Sequence, residues 1–130
     1  EDRLCENLSA ASNIRLVCAK TISDRELEEA YKAVALTEVW QKPVRELSGG
    51  MRRRVSILRA LLADSDCVIM DEPLRGLDEK TRIKTIDYIL KKTEGKTLIF
   101  VTHEEQEAVW LKAGKTLKFM KDHLIKWSGK

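Results

Sequence analysis

The run CVIMDEP at 67–73 ends a stretch of apolar residues in two consecutive carboxylates, Asp71 and Glu72. A hydrophobic strand that finishes this way delivers both acids to its C-terminal edge, where open parallel sheets place their ligands. Side by side they can divide labour: one serves a divalent cation through water, and the other orients or deprotonates an attacking water. The same pattern alone also describes a strand that stops in a charged turn. His103 closes a second apolar run, TLIFVTH. If the two runs are neighbours in one sheet, His103 and Glu72 emerge on one rim, where an imidazole can donate to a phosphate oxygen. Away from such a rim, a histidine at a strand end is an ordinary surface group.

Ser48, Gly49 and Gly50 stand just ahead of an amphipathic segment. Backbone N–H groups approach an anion closely where no Cβ intervenes, a helix N-terminus adds partial positive charge, and Ser48 adds a hydroxyl. Serine and two glycines before a helix are also a common cap. In EPLRGLDEKT at 72–81, Gly76 permits a turn and Asp78 can cap a helix beginning near Glu79.

These residues need elements to hold them. Ser23 and Glu26 form a capping box, with Ile22 placed to staple onto Leu27, so a helix starts there and carries Leu27, Ala30, Tyr31 and Val34 inward. The segment after Ser48 repeats Met51, Val55, Leu58 and Leu62 on one helical face, with Arg52 and Arg59 away from it. DSD at 64–66 breaks that helix. Residues 67–71 and 97–102 read as parallel strands buried on both faces, which puts Cys67 in the core. Between them, 79–92 is a helix with Ile83, Ile86 and Leu90 inward, completing a βαβ unit that should cross over right-handed. A short helix over 104–112 and two weaker strands, KTLKFM and HLIKW, close the chain. The class is α/β.

Composition narrows the rest. With 43% hydrophobic and 35% charged residues in 130, the chain suits one globular domain. Aromatics at 5% argue against a base-stacking platform for nucleic acid. The arginines at 52–54 read as a solvated helix face, and the six lysines after Ala108 (112, 115, 118, 121, 126 and 130), set against one acid, Asp122, read as a solvated face. Apolar runs are too short for membrane insertion, and no charged leader with an apolar core opens the chain, so a cytosolic location is expected. The cysteines at 5, 18 and 67 lack metal-site spacing and read as reduced thiols.

Taken in order, LSGGM (47–51), an arginine-rich helix, CVIMDE, LRGLD (74–78) and TH (102–103) resemble the C-terminal part of an ATP-binding cassette (ABC) ATPase domain. The resemblance covers roughly residues 1–112. It makes LSGGM the signature motif, CVIMDE the Walker B strand, LRGLD the D-loop and His103 the switch histidine. It implies that Asp71 serves Mg²⁺, Glu72 is the catalytic base, and His103 senses the γ-phosphate. Ser48, Gly49 and Gly50 would contact the ATP held by a second cassette in a head-to-tail dimer, and Asp78 would communicate across that interface. The implied fold is an incomplete P-loop NTPase core with parallel strands and flanking helices, plus an α-helical subdomain. Residues 1–47 would form the helical subdomain with the segment after the Q-loop, and 48–130 the C-terminal part of the core.

The phosphate-binding loop G-x-x-x-x-G-K-[ST] does not occur in these residues. EGKT at 94–97 and AGKT at 113–116 fail because Leu90 and Val109 stand where the earlier glycine belongs. EDRLCENLSAASNI resembles the segment just after the Q-loop glutamine, so the chain is expected to be a fragment beginning there and inactive alone. DEPLRGLDEKTR with THEEQEA is most similar to ATPase subunits of bacterial importers, especially the nitrate/sulfonate/taurine group. Such a subunit meets transmembrane permease subunits and lies peripherally at the inner face of the cell membrane. The alternative is a non-catalytic truncated module that supplies a signature face to a partner cassette. A nucleic-acid or ribosome-directed ABC ATPase ranks last.

Overall fold

A computed structural model describes residues 3–119 and 125–128. The order is α1 (Ala10–Arg15), α2 (Asp24–Ala33), a 3₁₀ turn (Val44–Glu46), α3 (Gly49–Leu62), β1 (Cys67–Asp71), α4 (Glu79–Lys92), β2 (Thr97–Val101), α5 (Glu105–Trp110), β3 (Thr116–Phe119) and β4 (Ile125–Ser128). Helix α1 lies in a stretch without clear periodicity. Ser9 caps it by accepting the Ser12 N–H, and fully buried Asn13 anchors it by bonding the Cys5 and Ser9 carbonyls and the Cys5 N–H.

Helix α2 begins as its sequence requires, with both halves of the Ser23–Glu26 capping box formed. It ends in a left-handed turn. Leu36 N–H bonds the Tyr31 carbonyl and Ala35 N–H the Lys32 carbonyl, with Ala35 at φ +54 where glycine is usual.

Two apolar clusters meet on α3. The first gathers Leu27, Tyr31, Val34, Leu36 and Val44 around Ile14; the second gathers Val68, Met70, Leu74, Ile86 and Ile89. Val55 and Leu58 face the first cluster, Ile57 and Leu61 the second, so one helix with apolar residues on two sides joins both.

Strands β1 and β2 pair in parallel, from Cys67 opposite Thr97 to Asp71 opposite Val101, with α4 between them in sequence. Strands β3 and β4 make a separate antiparallel pair. The KTLKFM and HLIKW segments thus hold strands; Met120, Lys121, Asp122, His123, Leu124 and Lys130 lie outside the described residues.

Burial of both faces of the parallel pair is not observed. Strand β1 alternates, with Val68 and Met70 buried and Cys67, Ile69 and Asp71 exposed; Ile99 and Val101 are exposed beside them. The helices pack on one face only, so Cys67 is a surface thiol rather than a core residue. Ile83 is also exposed: the inward face of α4 runs through Thr85, Ile86 and Ile89, a small rotation from the expected stripe. Among the described residues, no helix is long and apolar enough to cross a membrane.

Candidate functional site

The parallel pairing brings the two strand ends together. Nδ1 of His103 lies 2.7 Å from each carboxylate oxygen of Glu72. A carboxylate only accepts, so this geometry places the proton on Nδ1, with Nε2 3.5 Å from Glu104 Oε1. The hydrogen bond that Nδ1–H donates to Glu72, and then the negative charge of Glu72, raise the imidazole pKa above its ordinary value. Glu72 itself sits at φ +45, a left-handed conformation that costs a non-glycine residue about 1–3 kcal/mol. Its N–H donates to the Val101 carbonyl at 2.9 Å, and its carbonyl accepts the Arg75 N–H, which holds the strained residue in place. Asp71, exposed, ends β1 directly before it.

Ser48 is the cap of α3: its Oγ accepts the Met51 N–H at 3.3 Å, leaving the hydroxyl proton free to donate. Gly49 and Gly50 have nothing within 4 Å of where a Cβ would stand, and neither has the left-handed φ that demands glycine. Nothing among the described residues requires glycine at these two positions, although glycine weakens a helix. Asp78 caps α4, accepting the Thr81 N–H at 3.0 Å, and hydrogen bonding from the Thr81 side chain, then from its backbone, lowers the Asp78 pKa. Gly76, at φ +78, turns the chain between Glu72 and that cap.

The arginines at 52–54 are not a solvated face. Arg52 bonds Glu6 at 3.0 Å, and Arg53 donates to the Arg75 carbonyl at 3.2 Å, tying α3 to the loop that carries Asp78. Arg54 donates to the carbonyls of Gly50, Val34 and Ala35. One guanidinium thus joins the Ser48–Gly50 turn to the end of α2. Their i to i+1 spacing in sequence hides this, because successive residues on a helix point in different directions.

Among the described residues, no cluster of three or more His, Cys, Asp and Glu side chains could hold a metal ion. Asp71 fits a cation shared with phosphate and water, which is how Mg²⁺ is commonly held, rather than an all-protein cage.

A family model described as ABC transporter matches residues 1–75, more than half of the chain. The chain belongs to the ABC transporter family. Among the relatives, a taurine import ATP-binding protein of Roseobacter denitrificans is 43% identical over 94 residues, which cover 71% of this chain and 35% of that protein. A diacetylchitobiose uptake system ATP-binding protein of Streptomyces coelicolor is 38% identical across 94% of this chain and 32% of its own length. The chain therefore spans about a third of these ABC relatives. A dimeric structure of MJ0796, a bacterial ABC transporter cassette, matches with a TM-score of 0.71 at 31% identity, over 84% of this chain and 52% of that one. A post-hydrolysis state of MJ0796 bound to ADP and Pi gives 0.79 at 26% identity, over 98% and 59%. The fold is that of part of an ABC ATPase cassette, an incomplete P-loop NTPase α/β core.

Proposed function

We propose that these residues belong to the ATP-binding, ATP-hydrolysing subunit of a bacterial ABC importer, of the nitrate/sulfonate/taurine group. The observation that carries the reading is the His103–Glu72 pair at the C-terminal edge of two parallel strands, with Asp71 beside it. The matches to taurine import ATP-binding proteins support the group.

In this reading Glu72 is the base. It takes a proton as a water oxygen bonds the γ-phosphorus and the bond to the ADP oxygen breaks. Each carboxylate oxygen carries two lone pairs, so Glu72 can hold His103 and still accept from water. His103 orients Glu72 through Nδ1–H and, with the ring protonated as Glu72 favours, has an Nε2–H to donate to a γ-phosphate oxygen. Asp71 would hold Mg²⁺, which would neutralise phosphate charge.

Ser48, Gly49 and Gly50 act on a different nucleotide, the ATP held by a second cassette paired head to tail. The two glycines without an internal reason are what a closely approaching phosphate would need. Asp78 belongs to the same interface. Residues 1–47 serve as the helical subdomain that meets transmembrane permease subunits, and 48–130 as the C-terminal part of the core. The subunit would lie in the cytoplasm against the inner face of the membrane.

The test uses the pure 130-residue chain with Mg-ATP, alone and then with a complete taurine-type cassette. Alone it is expected to show no turnover, since it carries no phosphate loop of its own. With the cassette, ATP should drive association, and Gly50→Arg should abolish it. Clear Mg-dependent hydrolysis by the chain alone would overturn this division of roles. Association without ATP, indifferent to Gly50, would favour a non-catalytic interaction module.

A further inference from the structure

Beneath the rim that carries His103 lies a buried acid with no part in the proposed hydrolytic chemistry. Glu107, on α5, is 3% exposed. Its Oε2 accepts the Thr102 hydroxyl at 2.7 Å, and Thr102 Oγ1 accepts the Glu104 N–H at 3.0 Å. His103 lies between those two residues, so one hydroxyl, aimed by Glu107, fixes the turn on both sides of it.

The other carboxyl oxygen of Glu107 faces Arg82, whose Nε stands 3.6 Å away. That Nε is buried without a hydrogen-bond partner among the described residues, and the Arg82 Nη2 donates to the Leu77 carbonyl at 3.4 Å. Leu77 immediately precedes Asp78. A buried acid and a largely buried guanidinium are costly to desolvate, and an apolar pair would pack there without that cost. The arrangement is therefore better explained by what it orients than by what it stabilises.

We propose that Glu107 is a positioning residue for His103: with Thr102 it fixes the turn that presents the imidazole to Glu72, and through Arg82 it ties that turn to the Leu74–Asp78 loop. The consequence for catalysis rests on the proposed role of His103; the positioning itself does not.

The test is therefore made without nucleotide, by NMR of the 130-residue chain. The observable is the His103 Nδ1–H signal held by Glu72. His123 is the only other histidine, and His123→Gln assigns the signal. Thr102→Val keeps the side-chain shape and removes the hydroxyl. It should make this proton exchange with solvent about fivefold faster, the factor for one hydrogen bond of ordinary strength. Thr102→Ser should restore the wild-type rate. Glu107→Leu should reproduce the effect of Thr102→Val while the amide spectrum elsewhere stays folded. An unchanged His103 signal in Thr102→Val would overturn the proposal, as would failure of Thr102→Ser to restore it. If Glu107→Leu unfolds, the Thr102 pair decides. None of these outcomes depends on whether the chain ever hydrolyses ATP, so the positioning role and the hydrolytic role fail separately.

Discussion

Nδ1 of His103 stands 2.7 Å from both carboxylate oxygens of Glu72, although the two residues are 31 positions apart. The contact exists because β1 and β2 pair in register and each strand ends at the same rim. In the proposed function it joins the base to the group that orients it, the general arrangement of an activated hydrolytic site.

This contact has a pH signature. Glu72 raises the His103 pKa, so folding favours the protonated ring. The resulting stabilisation is complete below the ordinary imidazole value of about 6.5 and is lost as pH rises through the raised folded value. Glu72→Gln should return the His103 titration toward the ordinary value in NMR. The Tm gap between wild type and variant should be wider at about pH 5.5–6 than at about pH 9, an experimental window chosen around the ordinary value. Identical His103 titration curves would show that the contact does not form in solution.

Gly50 should separate stability from function. A Cβ there meets nothing within 4 Å, so Gly50→Ala should leave the isolated chain unharmed or stabilise it by up to about 1 kcal/mol in urea unfolding. The same change should weaken ATP-dependent pairing with a second cassette. A marked loss of stability would mean that the glycine serves this chain's own fold.

The junction of α2 and α3 offers a paired test. Ala35 holds a left-handed conformation that glycine adopts freely, so Ala35→Gly should stabilise the chain by about 1 kcal/mol. Arg54→Ala leaves the Val34 and Ala35 carbonyls without their guanidinium and should cost roughly 1–3 kcal/mol. Urea midpoints read both. Equal stability of Arg54→Ala and wild type would show that the bridge carries no weight.

Ile69, Ile99 and Val101 leave an apolar strip along the open face of β1 and β2. The isolated chain should therefore associate as its concentration rises, and Ile99→Lys should shift sedimentation toward monomer. A wild-type chain that stays monomeric at high concentration would contradict this.

The rim is legible in sequence because strand periodicity and terminal acids are local signals: Asp71, Glu72 and His103 each end an apolar run. The capping roles of Ser23, Ser48 and Asp78 are legible for the same reason. Features that depend on distant partners are not. Cys67 reads as core from its neighbours, yet which face of a strand is covered is decided by the helices that pack there. The arginines at 52–54 look alike in sequence, while their acceptors at Glu6, Arg75 and Val34 come from three other segments. Glu107 leaves one faint trace: it falls four residues before buried Leu111, where a helix surface residue would not.

The most direct test of the account substitutes Glu72 by Gln in a complete cassette that carries these residues, and measures Mg-ATP turnover beside ATP affinity. With Glu72 as the base, kcat should fall by roughly 10²–10⁴ while ATP binding persists, since only the proton acceptor is lost. Turnover that survives the substitution within a fewfold would contradict it, and Glu72 would be no more than the end of a strand.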